Sequence, residues 1–371
     1  MSTWRSNENP MFRSEFSETI FKQKYQHEGC ETWTDLARTL AVDVCGDYLT
    51  DDEVNELSNM ISDLKFIPGG RYLYYAGRQN KFFNNCFLLK AEEDTREDWA
   101  NLSWKTESCL MTGGGIGIDY SVYRGSGEVL KGTGGKASGP IPKMQMINEI
   151  GRRVMQGGSR RSAIYASLNW KHNGNAVPKP GMSYADIKEQ DFNFPAPLDM
   201  TNVSVNYDTE WLLNYIETGE IGDVFRTNVS QALRTGEPGF SFNFFEKEKE
   251  TLRNACTEVT SEDDSDVCNL GSLNLARIDS ASELSSVVEL ATKFLICGTL
   301  KAKLPYEKVY DVRAKNRRLG LGIMGVHEWL LKRGSRYEVT SELHNWLSIY
   351  KGVSDKVSKD FSNQLGLSVP I

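Results

Sequence analysis

The chain has 371 residues, a formal net charge of -7 and a hydrophobic fraction of 39%, which is room for one large domain or two ordinary ones of globular type. The acidic balance argues against a general nucleic-acid coat. It leaves room for a nucleotide, which needs only a few local cations and backbone N–H groups. The N-terminus has no apolar signal core and no run of about 18 apolar residues exists, so a cytoplasmic chain with no membrane or nucleic-acid partner is expected.

Residues 1–65 read as helical. TWTDLARTLAVDVC spaces its apolar residues helically, and LTDDEVNELSNMISDL opens on a Thr-Asp cap followed by early acids. A break follows at Pro68–Gly70. From 66 to 170 the pattern is α/β. Short runs such as RYLYYAG, NCFLL and GIGIDYSVY read as strands between helical stretches such as EDTREDWANLSWKTESCLM. Glycine clusters at 113–118, 124–140 and 156–162 read as polar loops where backbone approaches a ligand. Residues 171–184 read as an exposed loop, NFPAPLDMTNVSVNYDTEW as a strand entering a helix, and GEPGFSFNFFEKEK as a turn, a strand and a charged exit. Two cysteines then flank an acidic loop. SASELSSVVELATKFLICGTL reads as an amphipathic helix, and NRRLGLGIMGVHEWLLKRG as a strand or tight turn feeding a helix.

The seven cysteines, Cys30, Cys45, Cys86, Cys109, Cys256, Cys268 and Cys297, form no C-x-x-C pair. With few histidines, no metal site is expected. NACTE carries Asn254, Cys256 and Glu258 at alternating positions. On an extended segment they would share one face, offering an amide, a thiol and a carboxylate to one cleft. A carboxylate so close disfavours a thiolate. That favours a neutral thiol or thiyl radical, with Glu258 moving a proton; a polar turn with a buried cysteine fits the same pentapeptide. Cys86 and Cys268 could supply two electrons by forming a disulfide, although their spacing does not show that they meet. In QGGSRRSA, Gly157 frees the backbone, while Arg160 and Arg161 suit phosphate or base contact. A dinucleotide-binding oxidoreductase built on GGGIGI is excluded, because no G-x-G-x-x-G with a following acid exists.

FIPGGR, NNCFLL, TGGGIGIDYS, KGTGGKASGP, QGGSRRSA, FPAPLDMTNVSV, NACTE, VCNLGSLNL and RRLGLGIMG occur in this order. From Phe66 to about Gly325 the ordered set resembles the catalytic (alpha) chain of ribonucleotide reductases, with a style closer to the adenosylcobalamin-dependent class. The resemblance implies a ten-stranded α/β barrel over 66–371, incomplete at its C-terminal strands. It would follow a helical region, 1–65, that lacks the family's ATP-cone domain. It implies Cys256 as the thiyl radical taking the ribose 3′ hydrogen, Glu258 as base for the 3′ hydroxyl and Asn254 as a substrate hydrogen-bonding group. Cys86 and Cys268 would be the reducing pair, and Asn85, Gly114 and Gly115 would lie against substrate. Asp119, Arg124, Gly157, Arg160 and Arg161 would contact a dNTP or ATP effector.

The implied cofactor is adenosylcobalamin; the alternative is a radical supplied by a separate metal-containing subunit. The implied partners are a ribonucleotide, a thiol reductant such as thioredoxin or glutaredoxin, a second copy of the chain, and a complementary C-terminal chain that would complete the barrel. A nucleotide-binding remnant unable to turn over is the competing expectation.

Overall fold

Several helix starts coincide with side chains that satisfy the first free N–H groups. The computed structural model describes residues 12, 14–154, 162–172 and 197–371. After α1 (Glu15–Lys24), Thr32 and Thr50 each form a capping box, with Asp35 and Glu53 respectively, opening α2 (Trp33–Cys45) and α3 (Asp51–Ser62). The expected N-terminal helices are therefore present. The chain then runs through β1 (Phe66–Pro68), α4 (Gly70–Tyr75), β2 (Cys86–Lys90), α5 (Arg96–Met111), β3 (Gly115–Asp119), α6 (Pro140–Arg153) and β4 (Ile164–Asn169). It continues through β5 (Thr201–Asp208), α7 (Thr209–Thr218), α8 (Gly222–Thr235), β6 (Gly239–Asn243), β7 (Leu252–Arg253), β8 (Thr260–Ser261) and β9 (Asp266–Asn274). The last elements are α9 (Ala281–Lys301), α10 (Glu307–Asn316), β10 (Leu319–Met324), α11 (Val326–Lys332) and α12 (Ser341–Gln364).

RYLYYAG is a correction: it is helical, not a strand. Tyr72, Leu73 and Ala76 are buried at spacings of one and four, which suits a helix face.

The chain packs as two compact units. The first comprises Met1–Asn85, Cys268–Leu304 and Arg313–Ile371; the second comprises Cys86–Val267 and Pro305–Val312. In the first unit, α9 is the buried centre. Its Leu284, Val288, Ala291 and Leu295 join Leu36, Leu40 and Val44 of α2 and Leu57 and Ile61 of α3 in one apolar core. Trp33 Nε1 donates to Ile61 O at 3.0 Å, tying α2 to α3. There β9 pairs antiparallel with β1 and parallel with β10.

In the second unit, β2, β3, β4, β5 and β6 pair in that order, all parallel. Burial is near-continuous in β2, β4 and β5 and complete in β3, which explains why these segments read as apolar runs; in β6 it alternates, with Phe240 and Phe242 exposed. No helix among the described residues is long and apolar enough to cross a membrane.

Candidate active site

Strands β7 and β8 form an antiparallel pair, Leu252 opposite Ser261 and Arg253 opposite Thr260. NACTE is the loop between them. The expected extended segment is instead a tight turn, in which Thr257 N–H donates to Asn254 O at 3.0 Å. Asn254 is fully buried, and its Oδ1 accepts from Val259 N at 3.1 Å, clamping the ascending and returning arms. Its Nδ2 is buried without a hydrogen-bond partner among the described residues. Cys256 is exposed at the tip, followed by Thr257 at φ 67° and by exposed Glu258. A β-branched residue at positive φ is a strained position, here next to the thiol.

The base of this finger is pinned by Arg253. Its guanidinium donates to Asn243 Oδ1 at 2.7 Å and to Glu250 O at 2.9 Å. Burial pulls its pKa down from the ordinary value, opposed by Tyr165, Glu250 and Asp119.

The glycines of TGGGIGI explain how the finger fits. On β3, Ile116 and Ile118 share one face and Gly115 and Gly117 the other. A Cβ on Gly117 would lie 1.7 Å from Arg253 O, and one on Gly115 would lie 3.0 Å from Ala255 Cβ. The finger backbone therefore rests on the bare face of β3. Cys86, the first residue of β2, is the register partner of Gly115 and is buried. Cys86, Gly115 and the finger thus converge in the second unit. Gly114 is buried beside them.

Cys268 lies on β9 in the first unit and is buried; its carbonyl accepts from Asn84 Nδ2 at 3.3 Å and from Asn85 N at 3.2 Å. Asn85 is the chain neighbour of Cys86, and its own Oδ1 is buried without a hydrogen-bond partner among the described residues. The remaining cysteines, Cys30, Cys45, Cys109 and Cys297, are buried. Burial pushes the Cys45 and Cys109 thiols up, away from reactivity.

Of the expected effector residues, Asp119 ends β3 and accepts from Ser121 N at 3.0 Å and from its hydroxyl at 2.5 Å. Arg124 donates from its Nε to the Asp94 carboxylate and from NH2 to Asp94 O at 3.1 Å. Gly157, Arg160 and Arg161 lie outside the described residues. The 124–136 stretch is a folded loop, with Gly127 N donating to Ala137 O at 2.8 Å and Leu130 N to Gly135 O at 2.8 Å.

Beside it is a cavity of about 300 Å³, lined by Asp94, Trp99, Tyr123, Arg124, Lys136 and Ser138 among others. Three cations (Arg96, Arg124 and Lys136), an acid and two aromatic rings suit a nucleotide. Sequence reasoning missed Gly117 and Asp94. The alternation Gly-Ile-Gly-Ile signals a strand with one bare face and could have found the first; nothing local marks the second.

The match to known proteins agrees with this geometry. Residues 84–174 and 201–346 match the family model described as ribonucleotide reductase, barrel domain. The chain is 26% identical over 330 residues to the vitamin B12-dependent ribonucleoside-diphosphate reductase of Thermoplasma acidophilum, covering 82% of this chain and 42% of that protein. It is 25% identical over 338 residues to the ribonucleoside-diphosphate reductase subunit alpha of Chlamydia muridarum, covering 75% of this chain and 32% of that one. The chain thus spans less than half the length of these curated relatives. The class Id ribonucleotide reductase alpha subunit of Actinobacillus ureae shares the fold, at a TM-score of 0.80 and 18% identity, over 97% of this chain and 70% of that one. A finger bearing Cys256 on an α/β sheet, and a family match over most of the sheet and its finger, lead to one conclusion: this chain belongs to the ribonucleotide reductase barrel-domain family.

Proposed function

We propose that this chain carries the radical chemistry of ribonucleotide reduction to 2′-deoxyribonucleotides. The observation that carries the reading is the finger: an exposed thiol on a turn whose backbone is seated against the bare face of β3, in the unit that also holds Cys86.

In this reading the Cys256 thiyl takes the ribose 3′ hydrogen while Glu258 accepts the 3′ hydroxyl proton. The 2′ hydroxyl leaves as water with a proton from one thiol of the Cys86–Cys268 pair, and the other thiol supplies the hydrogen that replaces it on the 2′ carbon. The pair thereby gives two electrons and becomes a disulfide, while Cys256 returns its hydrogen to the 3′ carbon and Glu258 returns its proton to the 3′ oxygen. The balance is ribonucleotide plus dithiol to deoxyribonucleotide, disulfide and water. An external thiol such as thioredoxin or glutaredoxin then restores the pair.

Asn254 and Asn85 serve substrate binding, each with a buried amide atom that has no hydrogen-bond partner among the described residues. Gly114 and Gly115 bring backbone to substrate. A dNTP or ATP effector occupies the cavity at Arg124, and Asp119, Gly157, Arg160 and Arg161 serve effector binding. Residues 1–65 form a helical accessory region, residues 66–371 belong to the barrel, and the protein works in the cytoplasm, as a homodimer where the effector site requires it.

Adenosylcobalamin is the proposed radical source, and what it would supply when bound is the oxidising radical. The exposed tip of the finger leaves Cys256 accessible to so large a group. The test is ribonucleotide reduction by the holoenzyme containing this chain, with a dithiol. Activity that requires adenosylcobalamin supports the reading. Activity only with a metal-loaded radical subunit overturns the cofactor and keeps the reaction, and reduction by neither overturns the reaction.

A further inference from the structure

The acidic run after the finger looks like a solvated loop, yet Asp264 within it is almost completely buried. Its carboxylate is surrounded by donors from several elements. Lys105 Nζ of α5 lies at 2.8 Å, Lys308 Nζ of α10 at 2.9 Å, Lys90 N at the end of β2 at 2.8 Å, and Ser265 Oγ at 2.9 Å. Ser265 N also donates to Leu88 O of β2 at 2.8 Å. The exit of the finger is therefore riveted to β2, the strand that opens with Cys86. A buried carboxylate in such a cage moves with its cations or not at all, since separation would strand charge away from water.

Two of those cations lead to the nucleotide cavity. Lys308 Nζ also holds Glu92 Oε1 at 2.7 Å. Glu92 belongs to the connection between β2 and α5, whose next residues Asp94, Thr95 and Arg96 line the cavity. Glu93 N is bonded to Asp98 Oδ2 at 2.9 Å, so this connection is tied to the first turn of α5. Lys105 sits further along α5, beyond Trp99, another lining residue. One lysine thus bridges the cavity rim and the finger exit, and one rigid helix spans the same gap.

We propose that Asp264 is a positioning residue for the finger and that Lys308 is the joint through which nucleotide in the cavity alters the presentation of Cys256. This rests on the effector reading above and adds a route for its regulation. Coupling of this kind is a free energy shared by both sites, so it is measurable at either end.

Cys256 is exposed and the other six cysteines are buried, so an alkylating reagent reports on it selectively. The experiment measures the rate of Cys256 labelling by iodoacetamide in the full chain, with and without saturating dTTP or ATP, alongside calorimetric binding of the same nucleotide. In the wild type, nucleotide is expected to change the labelling rate about fivefold or more, the lower end of ordinary coupling. Lys308→Met removes the joint, and Glu92→Gln severs only its cavity side and leaves the buried cage intact. Both are expected to bind nucleotide with near wild-type affinity while the rate change falls to within about twofold. Two results overturn the proposal and leave the effector reading standing: nucleotide that binds without altering Cys256 labelling in the wild type, or variants that keep the full rate change. Absence of nucleotide binding in the wild type overturns the effector reading and the joint with it.

Discussion

Adding one methyl group at Gly117 is the sharpest perturbation of the finger. The new Cβ would stand 1.7 Å from Arg253 O, 2.8 Å from Arg253 C and 3.2 Å from Asn254 C, all backbone atoms that cannot rotate away. Restoring ordinary contact requires the finger to rise by roughly 1.5 Å, at a cost in the range of about 1–3 kcal/mol for overpacking. Taking ~2 kcal/mol, the melting temperature should fall by roughly 4–8 °C. The effect on chemistry should be larger, because about 1 Å of misplacement at a reacting group costs on the order of 100-fold in rate. Gly117→Ala is therefore expected to retain a cooperative melt while losing about two orders of magnitude in deoxyribonucleotide formation. Gly352→Ala on α12, where an added Cβ meets nothing within 4 Å, is the control and should lower neither. A Gly117→Ala protein with wild-type melting and turnover would show that the finger does not rest on β3.

Other expected outcomes test the clamp, the cage and the cysteine pair. Asn254→Ala removes the acceptor for Val259 N and should destabilise the chain by about 1–2 kcal/mol in denaturant melts; a wild-type midpoint would deny the clamp. Burial alone would raise the Asp264 carboxyl, but Lys105, Lys90 N and Lys308 outweigh it and hold it below the usual carboxylate range. A depressed carboxyl contributes stability that is full above its unfolded value, about pH 4, and is lost as pH falls through the lower folded value. Asp264→Asn should therefore cost roughly 3–5 kcal/mol at neutral pH. The gap to wild type should narrow under acid in pH-dependent melts, and a gap independent of pH would contradict the cage. A single turnover without added dithiol should give about one deoxynucleotide per active chain and leave Cys86 joined to Cys268 in peptide mass maps. A different pairing, or none, would remove these two cysteines from the chemistry.

How far the sequence could be read depended on how local each cause is. Thr32 and Thr50 announce their helices because a cap is a contact within four residues. Strands β2 to β5 were legible as apolar runs because both of their faces are covered. RYLYYAG was misread because its aromatic content suggests a strand, while its burial has helical spacing. NACTE alternates like a strand, yet the Asn254 carbonyl and side chain bend it into a turn, which no periodicity reveals. The acidic run hid Asp264, which is buried, because its partners arrive from distant segments such as Lys105 and Lys308. For the same reason the sequence did not show that the first unit gathers residues from three separate stretches.

The central claim, that the finger thiol carries ribonucleotide reduction, is tested most directly by comparing wild-type and Cys256→Ser holoenzyme in deoxyribonucleotide formation under identical radical source and dithiol. The account predicts product from the wild type and none from the serine variant, with the two proteins melting alike, since Cys256 is exposed and its replacement leaves the core untouched. Product formed by Cys256→Ser at the wild-type rate would contradict it.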